Sequence, residues 1–336
     1  MNLVFAHFYT QVPRHLIKNL ELTASNFPQS KIYLVTDRND VRGLPTSIQV
    51  VVYKPDSMWR EMESRLSHPR EFRNNFWFTS IARFLALADF ASRQDESFLH
   101  IESDVIISPD FPVEKIDNGN WDFAFPVVND DLAIASTLYF RNYRAASQLA
   151  QLAISECNVN SQATDMHVLK KLMDENPNKV QMLPTATANQ NSYNKIPENF
   201  LIQTALAIEY FGGVFDGFDI GQYLLGIDPR NRRGRTLLRS VNPENYLNCR
   251  NMKFEMTPSR EFPYVNDSGI LFPLFSVHVH SKNLKVFQLG STRRLLQNAV
   301  LKSTLPQQLR FKPSVYVKSV LRSLQRRFRT KFHNAQ

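Results

Sequence analysis

Short apolar runs alternate with longer stretches in which apolar residues return every three or four positions, along most of a 336-residue chain. The short runs read as buried strands and the longer stretches as helices packed on a sheet. Strands are predicted at residues 3–8, 31–36, 48–53 and 97–101, with helices at 16–25 and 79–90 between them. The second helix sets Ile81, Phe84, Leu85 and Ala88 on one face. Further strands are expected at 122–127, 137–140 and 275–280, and further helices at 144–156 and 165–174. Apolar strands separated by helices predict an α/β fold, a mainly parallel sheet flanked by helices.

Charge changes this picture only once it is located. The chain carries 40 Lys and Arg against 31 Asp and Glu, for a formal net charge of +9. Residues 268–336 hold 13 of the basic residues and no acid, so the rest of the chain is mildly acidic, at 27 against 31. A positive pI that comes from one end does not mark a nucleic-acid surface, and no nucleic-acid partner is expected. The chain changes character after Ser291, which divides it into a main domain, 1–290, and a basic helical extension, 291–336. Cys157 and Cys249 lack metal-ligand spacing, and a reduced, cytosolic compartment is the simpler reading. The first residues run straight into a core strand without a basic leader, and no apolar run approaches the roughly 18 residues of a membrane-spanning helix.

The strongest chemical signal is Phe98-Leu99-His100-Ile101-Glu102-Ser103-Asp104. Two carboxylates one residue apart stand where an apolar strand ends, and ligands of open α/β sheets gather at the carboxyl ends of strands. Residues i and i+2 of an extended segment face the same side, so both can reach one ion. Hard oxygen donors of this kind suit Mn²⁺ or Mg²⁺. The plainer reading is a solvated turn after a strand.

The stretch from Phe72-Arg73-Asn74-Asn75-Phe76-Trp77 to Arg83-Phe84, followed by the Glu102/Asp104 pair, resembles the nucleotide-sugar half of GT-A glycosyltransferases. That resemblance implies a divalent cation held against a donor diphosphate by Glu102 and Asp104, with Ser103 between them at the donor. Glu102 stands where the family has Asp, which keeps the charge and lengthens the arm.

The block 213–231, which contains Asp216, Asp219, Gln222, Gly226, Asp228, Arg230 and Asn231, is similar to one in bacterial and viral-type cytoplasmic glycosyltransferases. It implies polar groups lining a sugar site, with Asp216 catalytic and Gln222 at the donor. The structural alternative is a loop, helix and turn in which Asp219 caps the start, Gly226 caps the end and Pro229 stops the helix. Residues 275–282, Phe-Ser-Val-His-Val-His-Ser-Lys, resemble the late His-containing segment of the same enzymes. Read as a strand, they place His278 and His280 on one face; the resemblance assigns His280 to the metal and Lys282 to the diphosphate, with His278 in reserve.

Phe8, Tyr9 and Thr10 end the first strand and Asp37 ends the second, where the base and ribose of a donor would lie. Arg73 and Arg83 are candidates to meet phosphate or to orient the carboxylates. Thr164-Asp165 reads as a helix N-cap, and the alternative makes Asp165 a base that activates the acceptor.

Together these readings predict a hexosyltransferase-type enzyme that moves a sugar from a nucleotide-sugar donor, by preference a UDP-sugar, to a glycan or lipid-linked acceptor. The competing readings are a sugar nucleotidyltransferase and a noncatalytic binder of nucleic acid or acidic surfaces. Within residues 314–329, Val317, Val320, Leu321, Leu324 and Phe328 recur at helical spacing opposite Lys318, Arg322, Arg326 and Arg329. That pattern predicts either a helix docked on the protein's own core or one, within 310–336, lying on an anionic membrane surface. The second alternative places a cytoplasmic protein peripherally at the inner membrane face.

Overall fold

Strands whose residues are almost all apolar need cover on both faces, and helices interleaved along the chain supply it. The computed structural model describes residues 1–70, 75–129, 132–193, 196–226, 247–288 and 290–304. Its first half runs β1 (Asn2–His7), α1 (Arg14–Asn26), β2 (Ile32–Thr36), β3 (Ile48–Val52), α2 (Ser57–Arg65), α3 (Phe76–Arg93), β4 (Phe98–Ile101) and β5 (Val105–Ile107). Then follow α4 (Val113–Asp117), β6 (Phe123–Asn129), β7 (Leu132–Ala133), β8 (Thr137–Phe140), α5 (Tyr143–Val159), α6 (Asp165–Glu175) and β9 (Val180–Pro184). The last part holds α7 (Glu198–Phe211), α8 (Asp219–Leu225), β10 (Lys253–Glu255), β11 (Tyr264–Asp267), β12 (Ile270–Pro273), β13 (Ser276–His278) and α9 (Thr292–Thr304).

The main sheet has eight strands in the order β3-β2-β1-β4-β8-β6-β7, with β9 also paired to β6. Four pairings are parallel, β3 to β2, β2 to β1, β1 to β4 and β6 to β9. Strand direction reverses at β4, which pairs antiparallel with β8 in the register Ile101↔Thr137. The fold is therefore the expected α/β arrangement, a mostly parallel sheet flanked by helices, with β8 inserted antiparallel and β7 antiparallel at the edge beside β6. β4 is buried at all four residues, and α3 buries eleven of its eighteen while packing against α5.

Two smaller sheets complete the chain. β10, β11 and β12 form an antiparallel meander, and β5 pairs antiparallel with β13 in the register His278↔Val105. Alternation along β5 sends Val105 and Ile107 into the main core and Ile106 into a second one, built from Val277, Val279, Ile220, Leu224, Val286 and Phe287. β5 thus lies on the seam between two cores. α9, which starts just beyond residue 290, buries Leu296, Ala299 and Val300 in the second core. The basic segment 314–329 lies outside the described residues. Among the described residues no helix is long and apolar enough to cross a membrane.

Two local expectations are corrected. The strand expected over 275–280 ends at His278, because the chain turns there: His280 N donates to the His278 carbonyl at 3.0 Å and Lys282 N to the Val279 carbonyl at 2.8 Å. Asp219 is the first residue of α8 and not its cap, since the carboxylate that meets the helix start belongs to Asp216. Gly226 does close the helix, with its N–H on the Gln222 carbonyl at 3.0 Å.

Candidate functional site

β4 delivers the chain to Glu102, whose N–H donates to the Ser136 carbonyl at 3.0 Å. Its own carbonyl accepts from Val105 N at 3.0 Å, closing a turn that holds Glu102, Ser103 and Asp104 between β4 and β5. Asn19 of α1, fully buried, pins this turn by donating to the Ser103 carbonyl at 3.2 Å and the Val105 carbonyl at 2.7 Å. The β5–β13 pairing then brings in residues from far along the chain. Val279 N donates to the Asp104 carbonyl at 2.6 Å, so the turn after His278 lies over the acid pair.

The side chains converge accordingly. His278 Nε2 is 3.3 Å from Asp104 Oδ1 and 3.5 Å from Glu102 Oε2, while its Nδ1 lies 3.0 Å from the Gly217 carbonyl. Lys282 Nζ donates to Asp104 Oδ2 at 2.7 Å. The His280 ring stacks on His278, with centroids 3.8 Å apart and planes 20° from parallel. On the other flank Arg83 of α3 donates to Glu102 Oε1 at 2.6 Å and, through Nη2, to Asp165 Oδ2. Three carboxyl groups (Glu102, Asp104, Asp165) and three basic side chains (Arg83, His278, Lys282) make one buried network.

Charge pairing overrides burial at its centre. Burial alone would raise Asp104, but His278 and Lys282 hold it well below the usual carboxylate value. Burial alone would lower His278, and Asp104 with Glu102 instead push it up to about 9. Arg83 is held protonated the same way, its desolvation offset by Glu102 and Asp165. Asp165 is raised by its burial, against the pull of Arg83.

Asp104, His278 and His280 each offer a ligand atom, and all three atoms lie within 4.8 Å of one another. One carboxylate oxygen and two imidazole nitrogens are a donor set that can hold a divalent metal ion. The set brings together Asp104 and His280, which the resemblance assigns to the metal, and adds His278, which it leaves in reserve. Glu102 is not among the three; its Oε1 accepts from Arg83 and its Oε2 faces His278 Nε2 at 3.5 Å.

Asp216, expected among the catalytic residues, has a different place. It is 1% exposed, and its carboxylate accepts from Ile220 N at 3.1 Å, Gly221 N at 2.7 Å and His278 N at 2.8 Å. It ties the start of α8 to β13 beneath the site, and burial pushes it up to about 6 against those three donors. A carboxylate so enclosed has no face for a substrate, so it is a clasp. Thr164 caps α6, its hydroxyl accepting from His167 N while His167 Nδ1 accepts from Thr164 N, and Asp165 follows as the first helical residue.

The ends of β1 and β2 also meet. Tyr9, at a positive φ of 66°, donates its N–H to Asp37 Oδ2 at 3.1 Å, and its hydroxyl accepts from Trp59 Nε1 at 2.8 Å. Asp37 Oδ1 is buried and meets no donor among the described residues. Thr10 Oγ1 lies 2.9 Å from His7 Nε2. Phe8, expected at the donor, is instead a core ring, edge-on to Trp59 at 5.2 Å and 6% exposed. Gln222 sits partly buried on α8. Arg73, Asp228, Arg230 and Asn231 lie outside the described residues. A cavity of 680 Å³ lined by Phe27, Asp110, Phe111, Lys115, Phe211 and Phe275 touches none of the candidate site residues.

Sequence reasoning passed over Asn19 and Gly221. Asn19 had a signal, a polar amide on the buried face of α1 with Leu16, Leu20 and Thr23.

No family model matches the chain, and no curated protein matches it. Among solved structures it is similar to galactosyltransferase LgtC in complex with donor and acceptor sugar analogues, at 14% identity and a TM-score of 0.37, over 60% of this chain and 78% of that one. It is similar to the glycosyltransferase GlyE of Streptococcus pneumoniae TIGR4, at 16% identity and a TM-score of 0.36, over 54% and 45%. It is also similar to mouse xyloside xylosyltransferase 1 in its apo form, at 9% identity and a TM-score of 0.37, over 63% and 93%. Similarity at this level leaves the chemistry to be argued from the site itself.

Proposed function

We propose that the chain is a metal-dependent glycosyltransferase of the GT-A type. In this reading it moves a hexosyl group from a nucleotide sugar, a UDP-sugar, to a glycan or lipid-linked acceptor. The observation that carries the reading is the convergence of Asp104, His278 and His280 beside Lys282 at the carboxyl end of β4.

Transfer breaks the bond between the anomeric carbon and the diphosphate, and negative charge grows on the departing phosphate. A bound Mn²⁺ or Mg²⁺ would supply positive charge against that diphosphate. Asp104, His278 and His280 are the residues that would hold it. Lys282, on a flexible arm that is 24% exposed, is placed to donate to the same phosphate oxygens. Arg83 fixes Glu102 and Asp165 in single orientations. Asp165 is then the carboxylate that faces the transferred sugar or takes the acceptor proton. Asp37 Oδ1 offers an unmet acceptor to an N–H or O–H of the nucleotide, with Tyr9 and Thr10 beside it.

The basic segment within 310–336 supports a peripheral position at the cytoplasmic face of an anionic membrane, where lipid-linked and surface-polysaccharide acceptors are extended. Incubation with a panel of nucleotide sugars, with and without Mn²⁺, tests the proposal. Donor hydrolysis that requires the metal supports it. Silence toward every donor, or nucleotidyl transfer from a nucleoside triphosphate to a sugar phosphate, overturns it.

A further inference from the structure

Lys282 pairs with the carboxylate of the Asp104, His278 and His280 cluster. Its ammonium lies 2.7 Å from Asp104 Oδ2, and the other oxygen of that carboxylate faces His278 Nε2 at 3.3 Å. Both oxygens of the one carboxylate in the metal-ligand cluster are therefore already met by basic side chains.

The backbone is shaped to produce this contact. Lys282 sits at a φ of 48°, in the left-handed region that a residue with a Cβ rarely adopts. Its N–H donates to Val279 O at 2.8 Å, and Val279 N donates to Asp104 O at 2.6 Å. Two hydrogen bonds thus tie the strained residue to the backbone of the acid it pairs with. Its side chain remains 24% exposed against 11% for Asp104.

We infer that Lys282 is a built-in placeholder for the metal on Asp104, which leaves the carboxylate only when a diphosphate offers it new oxygens. An ion held by Asp104, His278 and His280 would lie within a few ångströms of the ammonium, and like charges at that distance repel strongly in a buried site. The ion alone must therefore displace Lys282 into solvent. An ion that arrives with a diphosphate displaces it onto phosphate, where an ammonium makes strong charge-assisted hydrogen bonds. Metal and diphosphate consequently strengthen each other's binding, and by the same factor in both directions. The site stays charge-balanced and closed to stray divalent ions between turnovers. The inference rests on the transferase reading only for the identity of the diphosphate.

The test titrates Mn²⁺ into the full-length protein by the loss of the free-ion EPR signal, alone and with saturating UDP, correcting for Mn²⁺–UDP in solution. Lys282→Met keeps most of the arm, one atom shorter, and removes its charge. It should bind Mn²⁺ alone on the order of tenfold more tightly than the natural chain, and UDP should tighten Mn²⁺ less in the variant. Lys282→Arg, which keeps the charge, should bind Mn²⁺ as weakly as the natural chain. Should Lys282→Met fail to fold, the natural chain still decides: UDP that does not tighten Mn²⁺ at least fivefold overturns the inference. Equal Mn²⁺ affinities in the natural chain and a folded Lys282→Met overturn it as well. A gain in Mn²⁺ affinity in a protein that hydrolyses no donor leaves the placeholder standing and removes the transferase reading. Metal-dependent hydrolysis without that gain does the reverse.

Discussion

Gly221 approaches His278 so closely that a Cβ built on the glycine would stand 2.1 Å from the His278 carbonyl oxygen and 2.6 Å from Asp216 Oδ2. No side chain fits there, so α8 can rest on β13 only through a glycine. Gly221→Ala should push β13 away from β5 and shift His278 from Asp104. The expected cost is about 1–3 kcal/mol of stability, typical of an overfilled core. Urea unfolding checks that figure, and Mn²⁺ titration of the same protein should show weakened binding. Natural stability and metal affinity in the variant would mean that the contact relaxes freely.

Asp104→Asn removes the carboxylate that His278 and Lys282 both address. Donor hydrolysis should fall on the order of a hundredfold or more. Retention of near-natural turnover at saturating Mn²⁺ would take Asp104 out of the chemistry.

His278 and His280 should behave alike toward metal, because their stacked rings present nitrogens to one point with Asp104. His278→Asn and His280→Asn are each expected to weaken Mn²⁺ binding by about tenfold or more. Glu102→Gln should change it far less, since Arg83 holds that carboxylate. A Glu102→Gln loss as large as either histidine loss would place Glu102 among the ligands.

Away from the site, Asp110 and Arg260 set a pH dependence. Arg260 is 8% exposed and forks onto Asp110 at 2.8 and 2.9 Å, while its Nη2 also donates to the Leu274 carbonyl at 2.9 Å. Burial would raise Asp110, but the hydrogen bonds from Arg260 and Ser108 and the guanidinium charge hold it below its ordinary 3.8. A carboxylate depressed by folding stabilises the protein above its unfolded pKa, and the stabilisation disappears as pH falls through the folded one. Asp110 is half exposed, so the effect of Asp110→Asn at neutral pH should be modest, about 1 kcal/mol. Denaturant melts at neutral and at strongly acidic pH check it: the two proteins should converge in acid, and a constant difference would assign the effect to packing.

Deleting residues 310–336 should abolish co-sedimentation with phosphatidylglycerol vesicles and spare donor hydrolysis. The intact chain should bind those vesicles, release them at high salt, and ignore phosphatidylcholine. Unfolding of the truncated chain would show that the segment belongs to the core.

What could be read from the sequence follows the range of each interaction. β1, β2 and β4 were legible because each is a largely apolar run, and α3 because Ile81, Phe84 and Leu85 recur at helical spacing. The acid pair was legible because it follows such a run directly. The pairing of β5 with β13 was not, since two three-residue strands far apart in sequence leave no periodic trace. His278 and His280 do come together, but through a turn and not along a strand: β13 stops at His278, and the turn that follows aims Lys282 at Asp104. Asp216 was misjudged because its partners are backbone N–H groups four, five and sixty-two residues away, which residue type alone does not reveal.

The pairing of β5 with β13 also bears on how the protein is made. Lys282 follows Asp104 by 178 residues, which takes a ribosome on the order of ten to thirty seconds to add. For nearly all of that interval the acid turn has neither its histidines nor its lysine. The central strands β1 to β4 have been synthesised by then, so a nascent chain can begin its sheet long before it can bind an ion. A chain cut short anywhere before residue 276 lacks β13, and with it every basic partner of Asp104 described above.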